Sequence, residues 1–148
     1  MDKSKIWLAI ALSAVAAYEG LRLNAYPDVG NVPTICYGET KGVAYGDSKT
    51  KVECDAMLSA RLVEFNEGVN KCVKRDLPDT RRAAFVSLSY NIGISAFCNS
   101  TVVKRYNAGD TYGACNAMLM WNKVKGVEWI GLTNRRQKER TLCLKGIE

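Results

Sequence analysis

Glu19, Asp28 and Thr34 lie in Tyr18-Glu19-Gly20-Leu21-Arg22-Leu23, Tyr26-Pro27-Asp28 and Pro33-Thr34, where an apolar run gives way to a segment punctuated by glycine and proline. Two carboxylates and a hydroxyl in that setting can serve as proton donor, base and water holder. Inverting hydrolysis of a glycosidic bond needs one carboxylic acid to protonate the leaving oxygen and a second carboxylate about 6.5–9.5 Å away to activate water. The eight residues between Glu19 and Asp28, turning a helix-to-strand corner, can span that gap. Taken singly, such residues also read as solvated surface charges and an ordinary strand threonine. Glu19 ends a helical run, where unpaired carbonyls disfavour a second negative charge and so suit a proton donor. Asp28 lies in a polar turn, and two carboxylates in different environments can hold different protonation states at one pH.

These residues need elements that hold them around a cleft. Residues 6–18, Ile-Trp-Leu-Ala-Ile-Ala-Leu-Ser-Ala-Val-Ala-Ala-Tyr, are apolar on every side and read as a helix that ends at the acid. In residues 26–47, Pro27, Gly30, Pro33, Gly38, Gly42 and Gly46 break the chain every few positions, with Val29, Val32, Ile35, Tyr37 and Val43 between them. That pattern predicts a small antiparallel sheet of short strands. Thr50-Lys51-Val52-Glu53 is a capping box, opening a helix to about residue 74 with Leu58, Leu62, Phe65 and Val69 on one face. A helix of that length can join two lobes and leave a cleft between them. Asp79 or Thr80 is expected to cap the next helix, whose Ala83, Ala84, Phe85, Val86 and Leu88 read as core and which stops before Gly93. Short helices follow over residues 100–107 and 110–121, then a loop over 123–132 and a final helix from Thr133 that Gly146 ends. With no repeat or long linker, residues 1–148 read as a single α+β domain, mainly helical, with one small sheet lobe.

Composition removes several kinds of chemistry. The chain contains no His, which excludes Ser-His-Asp and Cys-His nucleophiles and His-ligated metals. No metal, nucleotide or flavin motif is present, so no cofactor is expected. Cys36, Cys54, Cys72, Cys98, Cys115 and Cys143 are scattered singly rather than in Cys-x-x-Cys pairs, which points to disulfides and an oxidising compartment, with buried free thiols as the competing reading. Six cysteines allow about 15 connectivities. The preferred set is Cys36–Cys54, tying the hairpin to the next helix, Cys72–Cys98, bridging a helix end to a later loop, and Cys115–Cys143, stapling the last two helices. The net charge is +6, with basic residues at Lys71, Lys74 and Arg75, at Arg81 and Arg82, at Lys104 and Arg105, and across residues 134–140. A positive surface concentrates a protein on an anionic polymer such as bacterial cell wall, although many of these residues also read as solvated helix faces. No Arg-Gly or aromatic-interleaved basic stretch is present, so nucleic acid is not the expected partner.

The spacing Glu, eight residues, Asp, five residues, Thr, together with Glu19-Gly20-Leu21-Arg22-Leu23, Tyr90-Asn91-Ile92-Gly93, Phe97-Cys98-Asn99-Ser100 and Asn134-Arg135-Arg136, resembles the phage-type lysozymes, glycoside hydrolase family 24. The resemblance covers roughly residues 15 to 147. It implies a helical lobe and a sheet lobe joined by a long helix, with the active-site cleft between them. It also implies hydrolysis of the β-1,4 bond between N-acetylmuramic acid and N-acetylglucosamine in peptidoglycan, with Glu19 as acid, Asp28 as base and Thr34 holding the water. Arg135 is expected beneath the acid. Tyr90 and Ser100 read by position as cleft-wall residues with Glu39 and Asn91 nearby; each also reads as core or a loop cap. The sequence departs from the family at Glu39, where many relatives carry a His, which puts in doubt any ion pair made by that His.

Residues 1–18 admit more than one reading. The apolar run follows Lys3 and Lys5, as in a membrane-targeting segment. Thirteen helical residues rise only about 20 Å, short of the roughly 30 Å hydrocarbon core. A cleavable signal peptide fits Ala-Val-Ala-Ala, but cleavage after Ala17 would leave Glu19 as the second residue and destroy its helix. An uncleaved, weakly apolar segment that leaves the bilayer keeps both features, as in the signal-arrest-release endolysins of phages of Gram-negative bacteria that the chain resembles. A buried first helix is the plainer alternative. The expectation is a monomeric enzyme in the host periplasm, transiently held at the inner membrane, that lyses the host cell wall. The rival readings are a catalytically inactive wall-binding module and a small basic membrane-associated protein.

Overall fold

The computed structural model describes residues 5–147; Lys3 lies outside the described residues. Helix α1, Ile6–Glu19, buries Trp7, Ala11 and Val15, one stripe at a spacing of four, against α2 and α3. Its opposite stripe, Ala9, Ser13 and Ala17, is exposed and small. A helix apolar on every side thus sits in water with few large apolar groups showing. Gly20, at φ 73°, ends the helix in a conformation that other residues adopt only with strain.

Strands β1, Arg22–Pro27, and β2, Pro33–Cys36, form an antiparallel ribbon pairing Tyr26 with Thr34 and Pro27 with Pro33. The ribbon starts four residues earlier than the sequence pattern predicts. It also replaces a sheet running through residues 26–47: beyond Cys36 the pairing shrinks to single bridges, Ile35 with Glu39 and Asn24 with Ser48. Gly38, Gly42 and Gly46 all have positive φ, which interrupts any longer ladder. Val29 stands fully exposed at the ribbon's tip rather than in a strand.

Helix α2, Lys51–Cys72, forms both bonds of its capping box, Glu53 N to Thr50 Oγ1 at 3.1 Å and Thr50 N to Glu53 Oε1 at 2.9 Å. It buries Cys54, Leu58, Leu62 and Val69. Helix α3, Asp79–Ile92, is the centre of the molecule: every residue from Ala83 to Ser89 is buried, and α1, α2 and α7 pack around it. Its N-cap is Pro78, not Asp79 or Thr80, and Asp79 instead places its charge in the first turn, where the helix dipole favours it. Phe85 meets Phe97 and Tyr106 edge-on, at ring-centroid distances of 5.5 and 5.3 Å.

Helices α4, Ile94–Cys98, α5, Thr101–Asn107, and α6, Thr111–Ala117, complete the helical lobe, α6 running into a 3-10 turn over Met118–Met120. Part of the expected loop is a two-strand hairpin, β3, Lys123–Val124, and β4, Val127–Glu128, turned by Lys125 and Gly126 with positive φ. Helix α7, Ile130–Leu144, starts three residues earlier than Thr133. Disulfides join Cys36 to Cys54, Cys72 to Cys98 and Cys115 to Cys143. The first ties the ribbon to α2, the second α2 to α4, the third α6 to α7. The basic residues are not all a solvated surface: Arg81, Arg135 and Arg136 are buried.

Candidate active site

Glu19 is the last residue of α1, aimed at the junction of the ribbon lobe and the helical lobe. Its Oε1 accepts a hydrogen bond from Arg135 Nη1 at 2.7 Å, across 116 residues of sequence. The side chain of Glu19 is 23% exposed and that of Arg135 only 7%, so the carboxylate sits at the rim of the body and its partner inside it. Arg135 is fixed on every side. Its Nε reaches Glu139 Oε2 at 3.3 Å, its Nη2 donates to the Ser87 carbonyl at 3.3 Å, and the guanidinium stacks 4.8 Å from the centre of the Tyr18 ring. The other oxygen, Glu19 Oε2, faces Gly38, where a Cβ would lie 3.4 Å away, at φ 83°. Glycine is therefore favoured there by backbone conformation, and a methyl at that position would stand in contact with the carboxylate.

Asp28 follows β1 directly. Its Oδ1 accepts from Gly30 N at 2.8 Å and Val32 N at 2.9 Å, and its carbonyl accepts from Asn31 N at 3.0 Å. This Asx-type turn fixes the carboxylate through one oxygen and leaves Oδ2 without a protein donor among the described residues. Thr34, on β2, is 3% exposed, and its hydroxyl donates to the Val32 carbonyl at 2.8 Å. With its only proton committed, Thr34 Oγ1 can offer a further partner nothing but lone pairs. Asp28 and Thr34 thus share one turn, both bound to Val32.

A groove of about 220 Å³ opens from Glu19, walled by Gly38, Glu39, Thr40, Arg61, Tyr90 and Asn91. Tyr90 donates its hydroxyl to the Tyr37 carbonyl at 2.9 Å, linking α3 to the ribbon lobe. Burial pushes the Tyr90 phenol well above its ordinary value, and the charges of Glu19 and Glu39 add to this, so it remains a donor. Glu39 Oε2 pairs with Arg61 Nε at 3.1 Å, and Arg61 Nη1 with Glu64 at 2.8 Å. Position 39 therefore makes an ion pair without a His, as the anionic member.

Glu39, Tyr90, Asn91 and Arg135 are brought to Glu19; Ser100 is not. Ser100 is buried as the N-cap of α5, its hydroxyl donating to the Phe97 carbonyl at 2.6 Å and accepting from Val103 N at 3.4 Å. A serine before a helix is best placed to cap it, and that demand consumes the hydroxyl. Sequence reasoning missed Gly38, Arg61 and Glu139. Gly38, between Tyr37 and Glu39, carries the one usable signal, a glycine at a turn beside candidate site residues. Arg61 and Glu139 look like any charges on amphipathic helices.

The phage lysozyme family model matches residues 16–139. The chain is 40% identical over 129 residues to the SAR-endolysin of Bacteriophage PS119, covering 86% of this chain and 77% of that protein. Its structure is similar to that of the endolysin from Escherichia coli O157:H7 phage FAHEc1, with a TM-score of 0.84 and 39% identity over 93% of this chain and 92% of that one. It is also similar to the active form of the P1 phage endolysin Lyz, with a TM-score of 0.84 and 25% identity over 98% and 93% of the two chains. On these matches, this protein belongs to the phage lysozyme family.

Proposed function

We propose that this muramidase cleaves the β-1,4 bond between N-acetylmuramic acid and N-acetylglucosamine with inversion, using Glu19 as acid, Asp28 as base and Thr34 as water holder. The chain is a peptidoglycan-lysing endolysin. What carries the division of roles is the different use of oxygens at the two carboxylates. Glu19 is anchored through Oε1, leaving Oε2 to protonate the glycosidic oxygen in the groove. Asp28 is anchored through Oδ1, leaving Oδ2 to take a proton from water. Because Thr34 has spent its proton on Val32, the water donates one hydrogen to Thr34 and the other to Asp28. Its lone pair is then free to attack the anomeric carbon, whose bond to the leaving oxygen breaks as Glu19 protonates that oxygen.

Purified peptidoglycan treated with the wild-type chain is expected to release muropeptides with a reducing N-acetylmuramic acid, initially of α configuration. Glu19→Gln should lower the rate by about three orders of magnitude while folding normally, and Asp28→Asn nearly as far. Retention of most activity by either ends the assignment. Anhydro-muramic ends mean a lytic transglycosylase, and no fragments from wild type mean a wall-binding role.

We also infer transient membrane tethering through residues 6–18. Among the described residues no helix is long and apolar enough to cross a membrane stably, and α1 spans 14 residues. Its exposed stripe of Ala9, Ser13 and Ala17 lets the same helix leave a bilayer and pack on α3 with little apolar surface left in water. While it is in the membrane, the core lacks Trp7, Ala11 and Val15, and Glu19 is held at the bilayer surface. Fractionation of cells soon after synthesis should find a membrane-bound, inactive pool that later gives way to soluble, active chain. A chain that is soluble and active from synthesis contradicts tethering and leaves the chemistry untouched.

A further inference from the structure

The acid's partner is itself held by a second carboxylate. Glu139 on α7 is fully buried, as is Arg136 beside it. Glu139 Oε2 accepts from Ser87 Oγ at 2.5 Å, from Arg135 Nε at 3.3 Å and from Arg136 Nη2 at 3.3 Å, while Oε1 lies 2.7 Å from Arg136 Nε. Arg136 also donates to the Trp121 carbonyl at 3.3 Å. Two guanidinium groups thus share one buried carboxylate, and Arg135 alone extends to Glu19.

The charges fix what this arrangement does. Arg135 and Arg136 minus Glu139 leave one positive charge facing Glu19, so the cluster is neutral once Glu19 has lost its proton. Without Glu139, two uncompensated cations would hold Glu19 as a carboxylate. Without Arg136, Glu139 would absorb most of the pull of Arg135, and Glu19 would keep its proton longer. Burial pushes Arg136 below its ordinary value and Arg135 adds to this, while Glu139 opposes it; the guanidinium keeps its charge with or without Glu139.

We propose that Glu139 and Arg136 are positioning residues that set how strongly Arg135 draws on Glu19, and so the pH at which the acid ceases to donate. This rests on the reading of Glu19 as the acid. The other charged or titratable groups around Glu19 do not duplicate the role. Tyr18 on α1 and Tyr90 on α3 are raised, chiefly by burial, and stay neutral. Glu39 after β2 pairs with Arg61 on α2 at 3.1 Å, and Arg61 with Glu64 at 2.8 Å, a set of charges that none of the variants below alters. Lys138 on α7 lies 5.9 Å from the Tyr18 ring at the exposed surface, where solvent screens it.

The test is the pH–activity profile of the full chain on isolated peptidoglycan for wild type, Glu139→Gln, Arg136→Gln, the double variant and Ser87→Ala, with folding followed by circular dichroism. Glu139→Gln should move the alkaline limb toward acid by about one pH unit, and Arg136→Gln should move it toward alkali by a similar amount. The double variant, with the original net charge, should return it close to wild type, and Ser87→Ala, which alters no charge, should leave it in place. Rates lowered by one factor at every pH, with unmoved limbs, would mean a merely structural cluster and overturn the proposal. If Glu139→Gln does not fold, the direction of the Arg136→Gln limb decides alone. Glu19→Gln separates the two levels: activity with an alkaline limb intact removes the reading of Glu19, whereas an inert Glu19→Gln with unmoved limbs in the others removes only this inference.

Discussion

The two carboxylates of the site are held in opposite ways. Asp28 is fixed by amides two and four residues ahead of it, in a ribbon whose Val29 and Val32 are exposed. Glu19 is fixed by a guanidinium 116 residues away, itself buried against α3 and Glu139. The Asp28 side is therefore a local structure that short-range bonds can build alone. The Glu19 side exists only when α1, α3 and α7 have all packed. Local turns tolerate solvent and small displacements; a buried charge network tolerates neither, because each member left unpaired costs its full desolvation.

This contrast can be broken from either side. Phe85→Ala, in the middle of α3, should cost about 3–5 kcal/mol of global stability. In the fraction that remains folded, activity should stay near wild type, which denaturant melts and rate measurements on the same samples will check. Loss of activity far beyond loss of fold would mean that Glu19 is less well buttressed than its hydrogen bonds imply. Gly38→Ala should do the reverse. Forcing φ 83° on an alanine costs about 1–2 kcal/mol, and the backbone shift that relieves it moves the wall in contact with Glu19 Oε2, so the rate should fall about tenfold or more. The smallest effect is expected at Asp55, held below its ordinary value first by Lys51 and then by the Tyr37 hydroxyl. A carboxylate lowered on folding stabilises above its unfolded value, roughly pH 4, and loses that contribution as pH falls through the folded value. The melting-temperature gap between wild type and Asp55→Asn should therefore close on acidification; a gap that persists below pH 3 would show that the carboxylate charge is not its source.

Sequence patterns speak to local features and are silent on what long-range packing decides. The Thr50–Glu53 capping box, the glycine stop after Glu19 and the buried run around Phe85 follow from neighbours in the chain, and all are present. The five-residue helix α4 carries too few turns for periodicity to register. Lys125-Gly126 turned the expected loop into a hairpin because both residues accept positive φ. Residues 134–140 read as a basic surface because periodicity cannot reveal that a neighbouring helix buries Arg135 and Arg136 around Glu139. Ser100 was drawn to the cleft by its place in a motif, while the amide of Val103 claims its hydroxyl.

Each disulfide joins one cysteine to the next along the chain, closing sequence separations of 18, 26 and 28 residues that never interleave. A polypeptide threaded N-terminus first into an oxidising space presents its thiols in that order. The first partner to arrive for Cys36, for Cys72 and for Cys115 is then the correct one. On such a route the covalent framework would need oxidant but no reshuffling of mispaired bonds, and each staple could close before the next pair emerged.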